Sequence, residues 1–358
     1  MALTKVSTGV VDLSDDTGAL SISKGTTAQR PSTSVNGMLR ANTTTNKMEV
    51  YTSTGWRVLK EGGNVIIPLT VDYLVIAGGG GGGSWTSTSN VGTGGGGGAG
   101  GFRTSWTGQG SGGGCAVEAT PTLASNTQYN VTVGAGGAGQ PFNTSTQNNG
   151  VNSEFNGIVS NGGGAGGSYV GVNANSGGSG GGAGYLGSGG QVVAACQGNI
   201  GGSYGTHGSP YRHGGGGGAA GSGQNGGYNG TGAGGVGLRN SITLASGTGP
   251  YYAGGGGGGV SYVTSVSPGG SAVGGSGGNQ NLNATNPTVN TGSGGGGAGK
   301  GTSATQTTPS AGADGVVILR YPTDYSIAVT GSLFRTNATV GSDTVTTFIS
   351  GTGTITFS

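Results

Sequence analysis

The chain has 358 residues, room for two or three domains. Its 93 glycines stand in blocks rather than at every third position, which excludes collagen, and a charged share of 7% is too low for ordinary disorder. The net charge is +2, and between Tyr73 and Ala313 the only cations besides histidine are Arg103, Arg212, Arg239 and Lys300, so no basic stripe is available for nucleic acid.

Met1-Ala2-Leu3-Thr4-Lys5 lacks the apolar core of a signal peptide, and no apolar run approaches the ~20 residues of a membrane span. The expectation is a chain made in a cytoplasm and released by assembly or lysis, or else exported by a route without a recognisable signal, with no membrane insertion. Residues 1–62 hold seven of the thirteen basic and five of the eleven acidic residues. Val10-Val11-Asp12-Leu13 and Leu20-Ser21-Ile22 alternate as short strands. The turn signals Asn36-Gly37 and Thr45-Asn46 then separate alternating segments that end at Gly55-Trp56-Arg57-Val58-Leu59, which predicts a small β-meander. Gly25-Thr26-Thr27-Ala28-Gln29-Arg30-Pro31, Asn36-Gly37-Met38-Leu39-Arg40-Ala41-Asn42 and Glu49 with Tyr51 and Trp56 resemble a module of bacteriophage tail-fibre and other virion structural proteins. The resemblance covers residues 22–60 and implies attachment to other virion structural proteins through residues 1–60.

Tyr73-Leu74-Val75-Ile76-Ala77 reads as a buried strand and runs into six glycines, residues 78–83. Gly315-Val316-Val317-Ile318-Leu319-Arg320-Tyr321 mirrors it at the far end of the glycine-rich region, and the two are expected to pair. Between them lie further runs at 94–98, 214–218, 254–259 and 294–297. Consecutive glycines can form the polyglycine analogue of the three-per-turn extended helix, in which six residues span about 19 Å. That helix has no internal hydrogen bonds, so its N–H and C=O groups need neighbouring segments. Ordering glycine costs about 1 kcal/mol per residue or more, so one run alone would melt and a bundle is required.

Tyr129-Asn130-Val131-Thr132-Val133 alternates as a strand; Ser153-Glu154-Phe155-Asn156-Gly157-Ile158-Val159 and Gln191-Val192-Val193-Ala194-Ala195 are weaker strand signals. Together with Ala99-Gly100-Gly101-Phe102-Arg103, Tyr129 through Gly139 and the closing strand, this region resembles the glycine-rich domain of phage tail fibres and adhesins, also found in marine bacterial surface proteins. The resemblance implies a sandwich of polyglycine helices whose end loops recognise a host surface glycan or protein, and a homotrimer. The predicted fold is therefore all-β with polyglycine-II helices: an N-terminal β-meander over 1–62, a central glycine-rich sandwich over 63–322 closed by two β-strands, and a short C-terminal β segment over 323–358. That last segment alternates through Tyr325–Val329, Val345–Ile349 and Thr354–Phe357. It reads as a β tail packing on its own trimer or, alternatively, as an edge strand donated to a neighbouring chain.

Acid–base catalysis needs two carboxylates within reach, or a carboxylate with histidine, and from Tyr73 to Ala313 only Glu118 and Glu154 occur. An enzyme is not expected, nor any cofactor. His207 and His213, six residues apart, lack a nearby carboxylate or thiol to complete a metal site and read as solvent-facing loop residues. Cys115 and Cys196 read as buried free thiols, with a bridge between stacked segments as the alternative. The residues 294–301 mimic a phosphate-binding loop, but Gly301 stands where magnesium needs a hydroxyl. Tyrosine and tryptophan give large contact area at little entropic cost. The expected receptor-binding residues are Trp85, Trp106, Tyr185, Tyr204, His207, Tyr211, Arg212, His213, Tyr251 and Tyr252, with the stretch 185–213 the richest. The expected setting is a virion.

Overall fold

A computed structural model describes residues 22–59, 69–85, 93–168, 171–206, 208–300 and 307–358. The chain divides into two compact units, Met1–Pro68 and Leu69–Ser358. The expected strand at 10–13 and most of that at 20–22 lie outside the described residues.

In the first unit, β1 (Lys24–Gly25) pairs parallel with β2 (Leu39–Asn42), and β2, β3 (Lys47–Thr52) and β4 (Gly55–Val58) follow as antiparallel neighbours. The β2–β3 turn carries Asn46 at φ 54°, a left-handed conformation that asparagine tolerates. Glu49 is wholly buried and would be costly unpaired. Its oxygens accept hydrogen bonds from Arg30 Nη2 at 2.6 Å, Asn42 Nδ2 at 2.7 Å and Arg40 Nη1 at 3.4 Å. Burial opposes its ionisation, yet the bonds from Arg30 and Asn42 and the two guanidinium charges outweigh that and hold its carboxyl below the usual range. The polar residues of the N-terminal motif therefore converge on one carboxylate.

The second unit is built on β5 (Asp72–Ile76), β6 (Phe102–Thr104), β7 (Gln128–Val133), β8 (Ser153–Phe155), β9 (Ile158–Ser160), β10 (Leu238–Arg239), β11 (Tyr251–Tyr252), β12 (Val316–Pro322), β13 (Ile327–Val329), β14 (Phe334–Val340) and β15 (Asp343–Phe357). The expected pairing holds: β5 and β12 are antiparallel, with Ile318 opposite Leu74. The main sheet runs β6-β5-β12-β15-β7-β8-β9 and nearly closes as a β sandwich or barrel. Long β15 makes this possible. Its first half pairs with β12 and β14, and its second half with β7 and β13. Alternation sends Tyr73, Val75, Val317, Leu319, Tyr321 and Phe348 into one core with Val131, Phe155, Ile355 and Phe357. The opposite face, Leu74, Ile76, Val316, Ile318 and Val345, packs on Phe102, Ile242 and Tyr252. Residues 323–358, expected as a separate segment, thus belong to the second unit and complete its sheet.

The glycine runs continue from this sheet as a slab. In the run 78–83, the N–H groups of Gly78 and Gly81 donate to Val151 and Asn148, those of Gly79 and Gly82 to Ala313 and Ser310, and those of Gly80 and Gly83 to Gly98 and Gly95. The carbonyls accept with the same period: Gly78 and Gly81 from Gly163 and Gly166, Gly79 and Gly82 from Gly137 and Gln140, Gly80 and Gly83 from Gly295 and Ala298. All twelve bonds are 2.8–3.0 Å, and the run has six neighbours, three that it donates to and three that it accepts from. The segment 94–101 repeats the arrangement, donating in turn to the segments around Gly295, Gly164 and Gly217. A repeat of three residues distributes polar groups evenly around a segment, so each backbone group of the run 78–83 finds a partner despite its burial. Only glycine allows it: a Cβ at Gly80, Gly97 or Gly294 would stand closer than 3.0 Å to the carbonyl oxygen of Gly164, Gly80 or Gly97.

Cys115 and Cys196 form a disulfide across 81 residues, so the free-thiol expectation is corrected. The reason is proximity. Glu118 N–H donates to Thr104 O and Phe102 N–H to Gln197 O, which draws both cysteine loops against the β6 edge. Closing a long loop restricts the unfolded chain, so replacing both cysteines by serine is expected to lower stability by about 3 kcal/mol in denaturant unfolding without changing the fold. An unchanged midpoint would contradict a native bridge.

Candidate functional site

The run 78–83 leaves β5 and ends near Trp85, so the slab has a sheet end and a loop end. Successive hydrogen bonds fix the direction of the other segments. Gly80 and Gly83 donate to Gly98 and Gly95, so 94–101 runs antiparallel to 78–83. Gly295 and Ala298 donate to Gly80 and Gly83, which makes 294–298 parallel to it, and Gly294 and Gly297 donate to Gly254 and Gly257, which makes 254–259 parallel as well. Gly96 N–H donates to Gly214 O and Ala99 N–H to Gly217 O, so 213–219 follows the direction of 94–101. Trp85, Thr93, Tyr185, Tyr204, Tyr211, His213, Tyr262 and Lys300 therefore all lie at the loop end.

Four tyrosines form a ladder there, each next to a different glycine segment. Tyr185 packs edge-on against Tyr204 at 5.0 Å and Tyr211 at 6.1 Å between centroids, and Tyr211 packs against Tyr262 at 6.1 Å. Edge-to-face rings of this kind attract beyond the area they bury. All four are half-buried. Burial, reinforced by the neighbouring Tyr185 and Tyr211, pushes the Tyr204 hydroxyl up to about 12, and burial raises Tyr185 and Tyr262 as well. These three hydroxyls are neutral at physiological pH. Arg212 lies at the ladder's edge, donating to Ser265 Oγ at 3.1 Å.

His213 corrects the expectation of a solvent-facing loop histidine. It is fully buried beneath the ladder, 5.6 Å from the Tyr204 ring and 6.4 Å from that of Tyr185, with the Thr93 hydroxyl against it. Its N–H donates to Gly259 O, so it is the first residue of a glycine segment rather than the last of a loop. Burial alone pulls its pKa down to about 3. His207 lies outside the described residues. Trp85 is 5% exposed, packs edge-on against Phe142 at 4.9 Å and carries Lys300 Nζ 4.4 Å above its ring.

Three expected site residues lie at the sheet end instead. Trp106 Nε1 donates to Ser241 Oγ and its ring lies 4.6 Å from the Arg320 guanidinium; Tyr251 lies 4.1 Å under Arg239; Tyr252 is part of the second core. Structure thus brings together Trp85, Tyr185, Tyr204, Tyr211, Arg212 and His213, and separates Trp106, Tyr251 and Tyr252 from them. Tyr262 and Lys300 join the group. Their signal in the sequence is their position just beyond the runs 254–259 and 294–297.

The carboxylates stand apart from the ladder. Glu118 accepts from Arg103 Nη2 at 2.6 Å, Ser111 Oγ at 2.8 Å and Tyr73 Oη at 2.9 Å. Burial opposes its ionisation, but these partners prevail and hold its carboxyl below the usual range. No Asp or Glu occurs from 155 to 313, so the loop end offers aromatic edges, hydroxyls and cations. Among the described residues no group of three or more His, Cys, Asp or Glu could hold a metal ion, and no helix is long and apolar enough to cross a membrane.

Residues 63–322 match the family described as a glycine-rich domain. No curated protein and no solved structure matches the chain.

Proposed function

The chain belongs to the glycine-rich domain family, and from its resemblance to phage tail-fibre modules over residues 22–60 we propose that it is a bacteriophage virion fibre or adhesin subunit that presents loops on its glycine scaffold to a host surface glycan or protein. The observation that carries this reading is the tyrosine ladder, set across four glycine segments at the end of the slab away from the sheet. Loops on a rigid scaffold are where recognition concentrates, and half-exposed tyrosines supply contact area with little entropy to lose. The glycine runs serve as polyglycine-II helices, a reading supported by their three-residue hydrogen-bond period. Residues 1–60 join the chain to other virion proteins. No catalytic step is assigned, and none is needed.

A purely structural subunit is the second reading. The burial of His213 and Trp85 favours it, since rings stacked over them would also serve as a cap. Binding of labelled full-length chain to a panel of bacterial cells separates the two. Tyr211→Ala is expected to weaken cell binding by about tenfold or more while leaving the melting temperature within a few degrees. Absent binding, or binding indifferent to this change, leaves the structural reading in place.

A further inference from the structure

Among the described residues, the main sheet has one edge that nothing protects. Strands β6, β9 and β13 are edges of three residues each, and two are further covered: Phe102 N–H donates to Gln197 O, and Val159 O accepts from Arg103 and Gln197 side chains. Strand β14 is seven residues long and pairs only with β15. Its main chain makes no backbone hydrogen bond outside that ladder among the described residues. Five of its residues are exposed, including Phe334 at 58%. Monomeric proteins guard such an edge with lysine, proline, a bulge along it or brevity. Here Arg335 is the only charge in Phe-Arg-Thr-Asn-Ala-Thr-Val, and the one register shift falls at its start, between Phe334 and Arg335.

We propose that β14 pairs antiparallel with β14 of a second copy of this chain, about a two-fold axis at Asn337. The strand is complementary to itself in that register. Phe334 then meets Val340, Thr336 meets Ala338, and Arg335 meets Thr339, so apolar residues pair and the two arginines never face each other. The sheets of the two copies become continuous, and the open N–H and C=O groups of β14 satisfy one another. This is a two-fold pair, not the homotrimer that the family resemblance implies.

Sedimentation and light scattering of the full chain at micromolar concentration test the pairing. The expected mass is twice 33.8 kDa. The double variant T336K/A338K sets lysines opposite lysines at exposed positions and is expected to weaken pairing by about a hundredfold or more. Mixing it with T336E/A338E restores the pair. Hydrogen exchange on the unmodified chain adds an independent measure, with protection of β14 amides falling on dilution. A monomer, a trimer, a lysine variant that still pairs, or β14 amides unprotected at high concentration overturns the proposal.

Discussion

Gly97→Ala is expected to abolish the native glycine slab. Gly97 sits inside it, its N–H on Gly295 O and its own carbonyl accepting from Gly256 N–H. The added methyl would be driven into the Gly80 carbonyl oxygen, and that carbonyl is itself fixed by Gly295 N–H. Side chains can rotate away from an intruder, but a backbone held on several sides cannot. We therefore expect a loss of about 4 kcal/mol or more, beyond the usual cost of overpacking, seen as failure to recover folded protein or as a large drop in the unfolding midpoint. Gly221→Ala is the comparison: its nearest neighbour would be a methyl of Val236 at 3.0 Å, and a change below about 1 kcal/mol is expected. Equal stabilities for the two variants would mean that the runs are not close-packed.

Acid is expected to destabilise the second unit well above the carboxylate range, through His213. Its folded pKa, about 3, lies below the ordinary value of 6.5, so the unfolded chain takes up the proton first. The stabilisation is complete above about pH 6.5 and is lost as pH falls toward 3, at about 1.4 kcal/mol per pH unit and on the order of 4 kcal/mol in all. His213→Asn removes the titration and should flatten unfolding free energy over that window. Glu118, whose folded pKa is lowered, contributes stability that is lost only at more acidic pH, so its effect survives the change. Superposable pH curves for the two proteins would contradict burial of a neutral imidazole.

The framework of the second unit is legible in the chain because its signals are local. The apolar runs of β5 and β12, the alternation of β7 and the glycine blocks each declare themselves within a few residues. The assignment of aromatics to ends is not local. Tyr251 and Tyr252 precede the run 254–259 while Trp85 follows 78–83, yet both runs travel the same way, so the residues lie at opposite ends. Reading this from sequence requires knowing how many times the chain crosses the slab. Several crossings, such as 171–177 and 197–203, contain enough residues other than glycine to pass for loops. His213 escapes a sequence reading for the same reason, since a residue touching a glycine run can be inside the slab or just beyond it. The disulfide likewise depends on which distant segments the slab brings together.

The hydrogen-bond period of the run 78–83 constrains how such a protein can change its length. Removing one residue from a run would rotate every later N–H toward the wrong neighbour, whereas removing three returns each to the same partner segment. Insertions and deletions inside the runs should therefore be viable only in triplets, matched in all adjoining segments. The connections at the ends face no such rule and can diversify one at a time.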